Sequence, residues 1–211
     1  MSPKLKAFLP ALLLTLLLDQ GSKLWVVTHL AYRGPALDDR ARAAVEGLAG
    51  TAPLPTEKVV IANLLEFVHA QNPAAAMGMM LGYENRLYVF ALFTAVAVAV
   101  LAYMYRFLAR TDRWQAAGLA VLLGGVLGNA IDRLHKGTVT DFIKVIVEPQ
   151  PFRGWMEQAI GTNVWYTFNI ADAAIFVGVG IYLLATLFTA DGDVPEDVGS
   201  RPSLEDEGAR A

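Results

Sequence analysis

The chain has 211 residues, 55% of them hydrophobic and only 18% charged, with a mean hydropathy of +0.42. A formal charge of −3, with no basic stripe and no interleaved aromatics, excludes a nucleic-acid partner. The absence of cysteine excludes disulfides, zinc–thiolate sites and cysteine nucleophiles.

This composition is too apolar for an ordinary soluble domain, and the apolar residues are clustered. Four segments approach the roughly 20 apolar residues that a bilayer requires. They lie at about 7–30, 87–109, 114–134 and 168–190. The first follows Lys4 and Lys6 and so has the look of a secretory signal. No small-x-small cleavage site follows Leu18, however; the next residues are Asp, Gln, Gly, Ser and Lys. The fold class expected is an all-α polytopic membrane protein with four transmembrane helices and a small β-containing platform outside the membrane.

Basic residues near short loops set the orientation. Lys4 and Lys6 precede the first span, and Arg106, Arg110 and Arg113 lie around the connection between the second and third. With four spans these regions share one side, so both termini are expected in the cytoplasm. Residues 1–190 then form one membrane domain, with outer loops 31–86 and 135–167. Residues 191–211 hold seven acids, two Arg and two Pro, and are expected to be a disordered acidic tail.

In the first outer loop, "RGPALDDRARAAVEGL" suits a short helix, and "KVVIANLLEFVHAQNP" mixes β-branched runs with the turn former Asn-Pro, which suits a small sheet. In the second, a strand is predicted at 143–147, followed by a Pro-rich turn. Trp155, Trp165 and Tyr166 suit an aromatic belt at headgroup level.

Under this topology the polar interruptions all fall on the outer face. Asp19 to Lys23 lie late in the first span, Asn129 to Arg133 at the end of the third, and Asn169 to Asp172 at the start of the fourth. Ionisable groups at such depths need partners or a use. Ser22 is the one serine outside the terminal tails, and its neighbour Lys23 points about 100° away on a helix, so no Ser–Lys dyad forms. The histidines His29, His69 and His135 are scattered and no HExxH occurs. Carboxylates remain: Asp132, Asp141 and Asp172, with Asn129 and Asn169. Two carboxyls held close share a proton, the state that suits peptide hydrolysis by water. The same oxygens also suit a hard cation or a proton relay. An Asp-Arg pair ending a helix, as in Asp132-Arg133, is more often an orientation device than a catalyst, and Asp141 after a Gly-containing turn also reads as a loop polar group.

Five blocks, in order, resemble the lipoprotein signal peptidases (signal peptidase II): "DQGSK" at 19–23, "NPAAAMG" at 72–78, "GGVLGNAIDR" at 124–133, "GTVTDF" at 137–142 and "FNIADAAIFVG" at 168–178. The resemblance covers residues 8 to 188. It implies an aspartic endopeptidase of the bacterial inner membrane that removes the signal peptide of diacylglyceryl-modified prolipoproteins by cutting just before the lipidated Cys. It implies Asp141 and Asp172 as the catalytic pair, and Asn72, Asn129, Arg133 and Asn169 as substrate-binding residues. Asp19, Lys23 and Asp132 have supporting roles. No metal or cofactor is implied, because water is the nucleophile, and a monomer in the lipid bilayer is expected. Two features depart from the family pattern. Ala74 and Met77 stand where a glycine and an aromatic are usual, and both outer loops are long. The rival readings are an ion- or proton-coupled membrane protein and an inactive or specialised lipoprotein-binding paralogue. Against the first, the polar groups gather at one face rather than through the membrane depth.

Overall fold

A computed structural model of the chain describes residues 1–32, 55–73 and 86–190. The short helix expected within 33–48, the departures at Ala74 and Met77, and the acidic tail at 191–211 lie outside the described residues.

Four helices are long and apolar enough to cross a membrane: α1 (Pro3–His29), α2 (Arg86–Phe107), α3 (Arg113–Lys136) and α5 (Ile170–Ala190). A fifth, α4 (Phe152–Ile160), is short and lies within the loop 135–167, where only a Pro-rich turn was expected. The spans differ from the sequence reading at their ends. The first begins at Pro3, the second stops at Phe107, and the third runs on to Lys136. There Gly137 takes a left-handed conformation (φ 78°) and its N–H caps the Arg133 carbonyl at 3.0 Å, turning the chain out of the helix.

Helix α3 is the centre of the bundle and the most buried of the four spans. Small residues allow this, because lipid tails supply no hydrophobic drive between helices and close backbone packing must replace it. Gly118 faces the backbone of α5: a Cβ there would stand 2.7 Å from the Tyr182 nitrogen. Gly178 returns the contact, and its Cβ would stand 2.5 Å from the Leu122 nitrogen. Further along α3, Gly124 meets Thr15 of α1, and Gly128 meets the Asp19 carboxylate. The "GGVLG" run therefore seats α1 and α5 on two sides of one helix. At the opposite end, Lys4 Nζ donates to the Tyr105 and Leu108 carbonyls (3.1 and 2.8 Å). It thereby satisfies orphan acceptors at the C-terminus of α2.

Beside the polar ends of the helices lies a three-stranded antiparallel sheet in the order β1 (Glu57–Ile61), β2 (Leu65–Asn72), β3 (Val139–Val145). The predicted strand at 143–147 thus begins earlier, at Val139. Asn63, at φ 59°, makes the β1–β2 turn, a conformation that asparagine tolerates. Phe67 and Phe142 stack edge to face (5.6 Å), and Trp25 of α1 stacks on Phe67 (6.3 Å). With Val26 and Leu30 they form the core that fastens the sheet to the end of α1. Only Gly137 and Thr138 separate α3 from β3.

Candidate active site

Strand period decides what β3 offers to each side. Ala70 pairs with Asp141 and Asn72 with Val139, so Asn72 and Asp141 are diagonal neighbours on one face. Asn72 Nδ2 accordingly donates to Asp141 Oδ2 at 3.0 Å. The alternate residues, Gln71 and Thr140, pair on the other face.

Asp172 reaches the same place because the segment before α5 is sewn to β3. The Phe168 carbonyl accepts from the N–H groups of Phe142 and Ile143 (3.0 and 2.8 Å), and Phe168 N–H donates to the Ile143 carbonyl (3.1 Å). Helix α5 starts at Ile170, two residues later than predicted, so Asn169 is its N-cap and Asp172 its third residue. The two form a reciprocal capping box. Asp172 N–H donates to Asn169 Oδ1 (3.1 Å), and Asn169 N–H donates to Asp172 Oδ2 (3.2 Å). Asn169 then bridges the carboxylates: its backbone N–H holds Asp172, and its side-chain Nδ2 donates to Asp141 Oδ1 at 2.7 Å.

The helix-one motif lies directly behind. Lys23 is 2% exposed; its Nζ lies 2.9 Å from Asp19 Oδ2, 2.9 Å from Asn129 Oδ1 and 3.5 Å from Asp132 Oδ2. An ammonium only donates, so Asn129 must turn its oxygen to Lys23 and its NH2 to Asp172 Oδ1, 2.8 Å away. Asp19, fully buried, accepts the Ala171 N–H of α5 at 2.9 Å and so satisfies an orphan donor of that helix. Asp132 accepts Thr140 N–H (2.9 Å), one residue before Asp141. The two matching "Asn-x-x-Asp" stretches therefore work differently: 169/172 is a cap, whereas Asn129 and Asp132 reach different partners.

Arg133 is half-buried. Its guanidinium covers the Phe90 ring at 4.3 Å and lies in electrostatic range of Asp172 and Asp141. Beside it, between α2 and α3, runs an apolar groove of about 240 Å³ lined by Leu87, Phe90, Ala91, Thr94, Ala95, Ala130 and Leu134.

All nine residues singled out in the sequence lie in this one assembly. Sequence reasoning missed its far side. Lys136 pairs with Asp132 (3.1 Å) and donates to Thr140 Oγ1 (2.6 Å). Gln71 takes hydrogen bonds from Thr138 (2.8 Å) and Thr140 (3.4 Å) and bonds His69 Nε2 (2.8 Å). Helix spacing signals Lys136, four residues after Asp132. Strand alternation signals Thr140 and Gln71, the out-of-phase neighbours of Asp141 and Asn72. Burial holds the His69 pKa below its ordinary value, against the Leu30 carbonyl contact. Neutral His69 donates from Nδ1 to that carbonyl and accepts from Gln71 at Nε2.

Burial also lifts Asp141, from its ordinary 3.8 up to about 6. The hydrogen bond from Asn72 opposes this, the Asp172 charge adds to it, and the hydrogen bond from Asn169 opposes it. A carboxyl held protonated toward neutrality beside a second carboxylate is what two-carboxylate acid–base hydrolysis requires.

The model of the family "Signal peptidase (SPase) II" matches residues 11–188. The chain belongs to the signal peptidase II family. Its relatives are lipoprotein signal peptidases. That of Syntrophotalea carbinolica is 36% identical over 126 residues, 60% of this chain and 70% of the relative. That of Methylocella silvestris is 30% identical over 194 residues, 91% of both chains. A solved bacterial membrane enzyme superposes with a TM-score of 0.61 at 22% identity, covering 89% of this chain and 92% of that one, and so shares its fold. As a signal peptidase II, the chain is an aspartic endopeptidase of lipoprotein processing rather than an ion-coupled membrane protein.

Proposed function

We propose that Asp141 and Asp172 are the catalytic dyad of this signal peptidase II, and that it cleaves diacylglyceryl-modified prolipoproteins just before the lipidated Cys. The observation that carries this reading is the Asn169 bridge: one side chain and its own backbone N–H hold an oxygen of each carboxylate. The pair shares one proton and titrates as a unit. The ionised member accepts a proton from the attacking water. The protonated one polarises the scissile carbonyl and then gives its proton to the leaving amine. Asp141 is the member that burial favours in the protonated form.

Asn72, Asn129 and Asn169 orient the carboxylates and border the space where a peptide backbone would lie. Arg133 faces the same space. The groove beside it suits an acyl chain, since its lining is apolar and it ends at the polar site. Asp19, Lys23 and Asp132 support the site by fixing Asn129, the start of α5 and the backbone at Thr140.

Cleavage tests the substrate reading. Purified protein with EDTA present is expected to cut a diacylglyceryl-modified prolipoprotein immediately before the modified Cys and to leave the unmodified precursor intact. Equal cutting of both forms sinks the requirement for the lipid.

The dyad lies at the outer, periplasmic face of the inner membrane, with both termini in the cytoplasm. The distribution of Lys4, Lys6, Arg106, Arg110 and Arg113 supports this. Because the chain has no cysteine, single cysteines report sidedness. In intact spheroplasts an impermeant maleimide is expected to label Glu157→Cys and to leave Arg110→Cys unlabelled; the reverse pattern inverts the topology.

A further inference from the structure

Helix α4 plays no part in the site described above. It lies within the stretch 148–162, at the tip of an extension of β3. Beyond that strand, Val147 N–H donates to the Asn163 carbonyl (2.8 Å), and Trp165 N–H donates to the Val145 carbonyl (2.9 Å), so the chain leaves and returns as a hairpin. The helix ends at Gly161, in the left-handed conformation (φ 76°).

Its two sides differ in kind. Met156 is its one buried residue, at 4% exposure. Phe152 and Trp155, at i and i+3, stand 65% and 64% exposed, and Ala159 continues their face. On the other side Arg153 pairs with Glu148 (2.9 Å) and Glu157 (2.8 Å). Trp165 and Tyr166, roughly half exposed, follow on the returning strand. Through the hydrogen bond from Ile146 N–H to the Leu64 carbonyl (2.8 Å), the exposed turn with Ile61 and Leu64 adjoins them.

An exposed face of Phe, two Trp and Tyr needs a partner with both apolar and polar character. The occupant follows from continuity. Trp25, at the end of α1, packs on Phe67 of the sheet, and Lys58 of β1 lies over the Trp25 ring at 5.0 Å. The sheet is thus held at the end of α1, and the hairpin that carries α4 and the exposed aromatics extends its strand β3. Bulky aromatics at that height partition into the headgroup region.

We propose that α4 and the Trp165–Tyr166 segment form a membrane-surface anchor, seated in the headgroup layer of the leaflet on the dyad's side. Because α4 is joined to Asp141 through β3, the anchor sets the depth of the site relative to the lipid. The proposal does not depend on the dyad assignment.

An environment-sensitive dye placed by single cysteine substitution in the cysteine-free chain tests it, with the protein in phosphatidylcholine nanodiscs. Ala159→Cys places the dye on the face of Phe152 and Trp155; Glu157→Cys places it on the polar side and is the control. The dye at 159 is expected to emit to the blue of the control. Lipids carrying a nitroxide near the headgroup should quench it several-fold more, and aqueous iodide several-fold less. Equal iodide quenching at both positions, with no effect of the nitroxide lipid, overturns the anchor. Shielding from both quenchers also overturns it, because the face is then covered by a second copy of the chain.

Discussion

Asp141→Asn and Asp172→Asn are each expected to lower the cleavage rate by at least roughly 10³-fold while leaving the protein folded. The substitutions nearly preserve volume. An amide at position 172 retains an oxygen to accept the Asn169 N–H, so the start of α5 keeps its cap. An amide at position 141 keeps one acceptor for the donors from Asn72 and Asn169. What each variant loses is the shared proton and the negative charge that activates water. Turnover of a lipidated prolipoprotein by each variant, measured beside its melting temperature, checks this. Either variant cutting within tenfold of the wild type removes that residue from the dyad.

The substitution at 141 carries a second, separable expectation. The folded-state pKa of Asp141 lies above its unfolded value, at about 6 against 3.8. The folded protein therefore binds the proton more tightly, and the associated stability is fully present below pH 4 and lost as pH rises to 6 and beyond. The loss is on the order of 3 kcal/mol. The amide that replaces the carboxyl does not titrate, so the stability of Asp141→Asn relative to wild type is expected to rise between pH 4 and 7. A difference in melting temperature that stays flat across that window contradicts the raised pKa. An active site that gains stability when its acid is neutralised is one whose function opposes its folding.

The largest stability effect is expected from Lys23→Met. Lys23 is the cation between Asp19 and Asp132, all three nearly inaccessible to solvent. Removing the charge leaves Asp19 without its ion-pair partner, while Asp132 keeps Lys136 at 3.1 Å. Breaking a buried pair from one side typically costs about 3–5 kcal/mol, because the remaining charge is uncompensated. Activity should fall as well, since Asn129 is then free to turn its amide away from Asp172. The check is thermal unfolding in detergent of Lys23→Met and of the double variant Lys23→Met/Asp19→Asn. The double variant is expected to recover part of the lost stability, because it removes the stranded carboxylate. If the single variant melts with the wild type, the ion pair is not what holds α1 to α3 and α5.

Much of this protein is legible in its sequence. Bilayer thickness fixes how many consecutive apolar residues a span needs, so four spans follow from counting. Depth fixes the cost of polar and ionisable groups, so Asp19, Lys23, Asn129, Asp132, Asn169 and Asp172 stand out wherever they occur. Strand content around 57–72 follows from β-branched runs and turn formers, although α4 does not, since its nine residues fall short of the eleven or so over which a helical period is read. Other decisions are tertiary. Asp141 meets Asp172 only because Phe168 pairs with Phe142 and Ile143, a backbone contact that any side chains permit and no local pattern specifies. The buried relay from Lys136 through Thr140 to Gln71 and His69 depends likewise on the register of β2 against β3. Local propensity and membrane depth act residue by residue and are written along the chain. Register and helix contact depend on how distant segments satisfy one another's hydrogen bonds, and only the folded protein decides that.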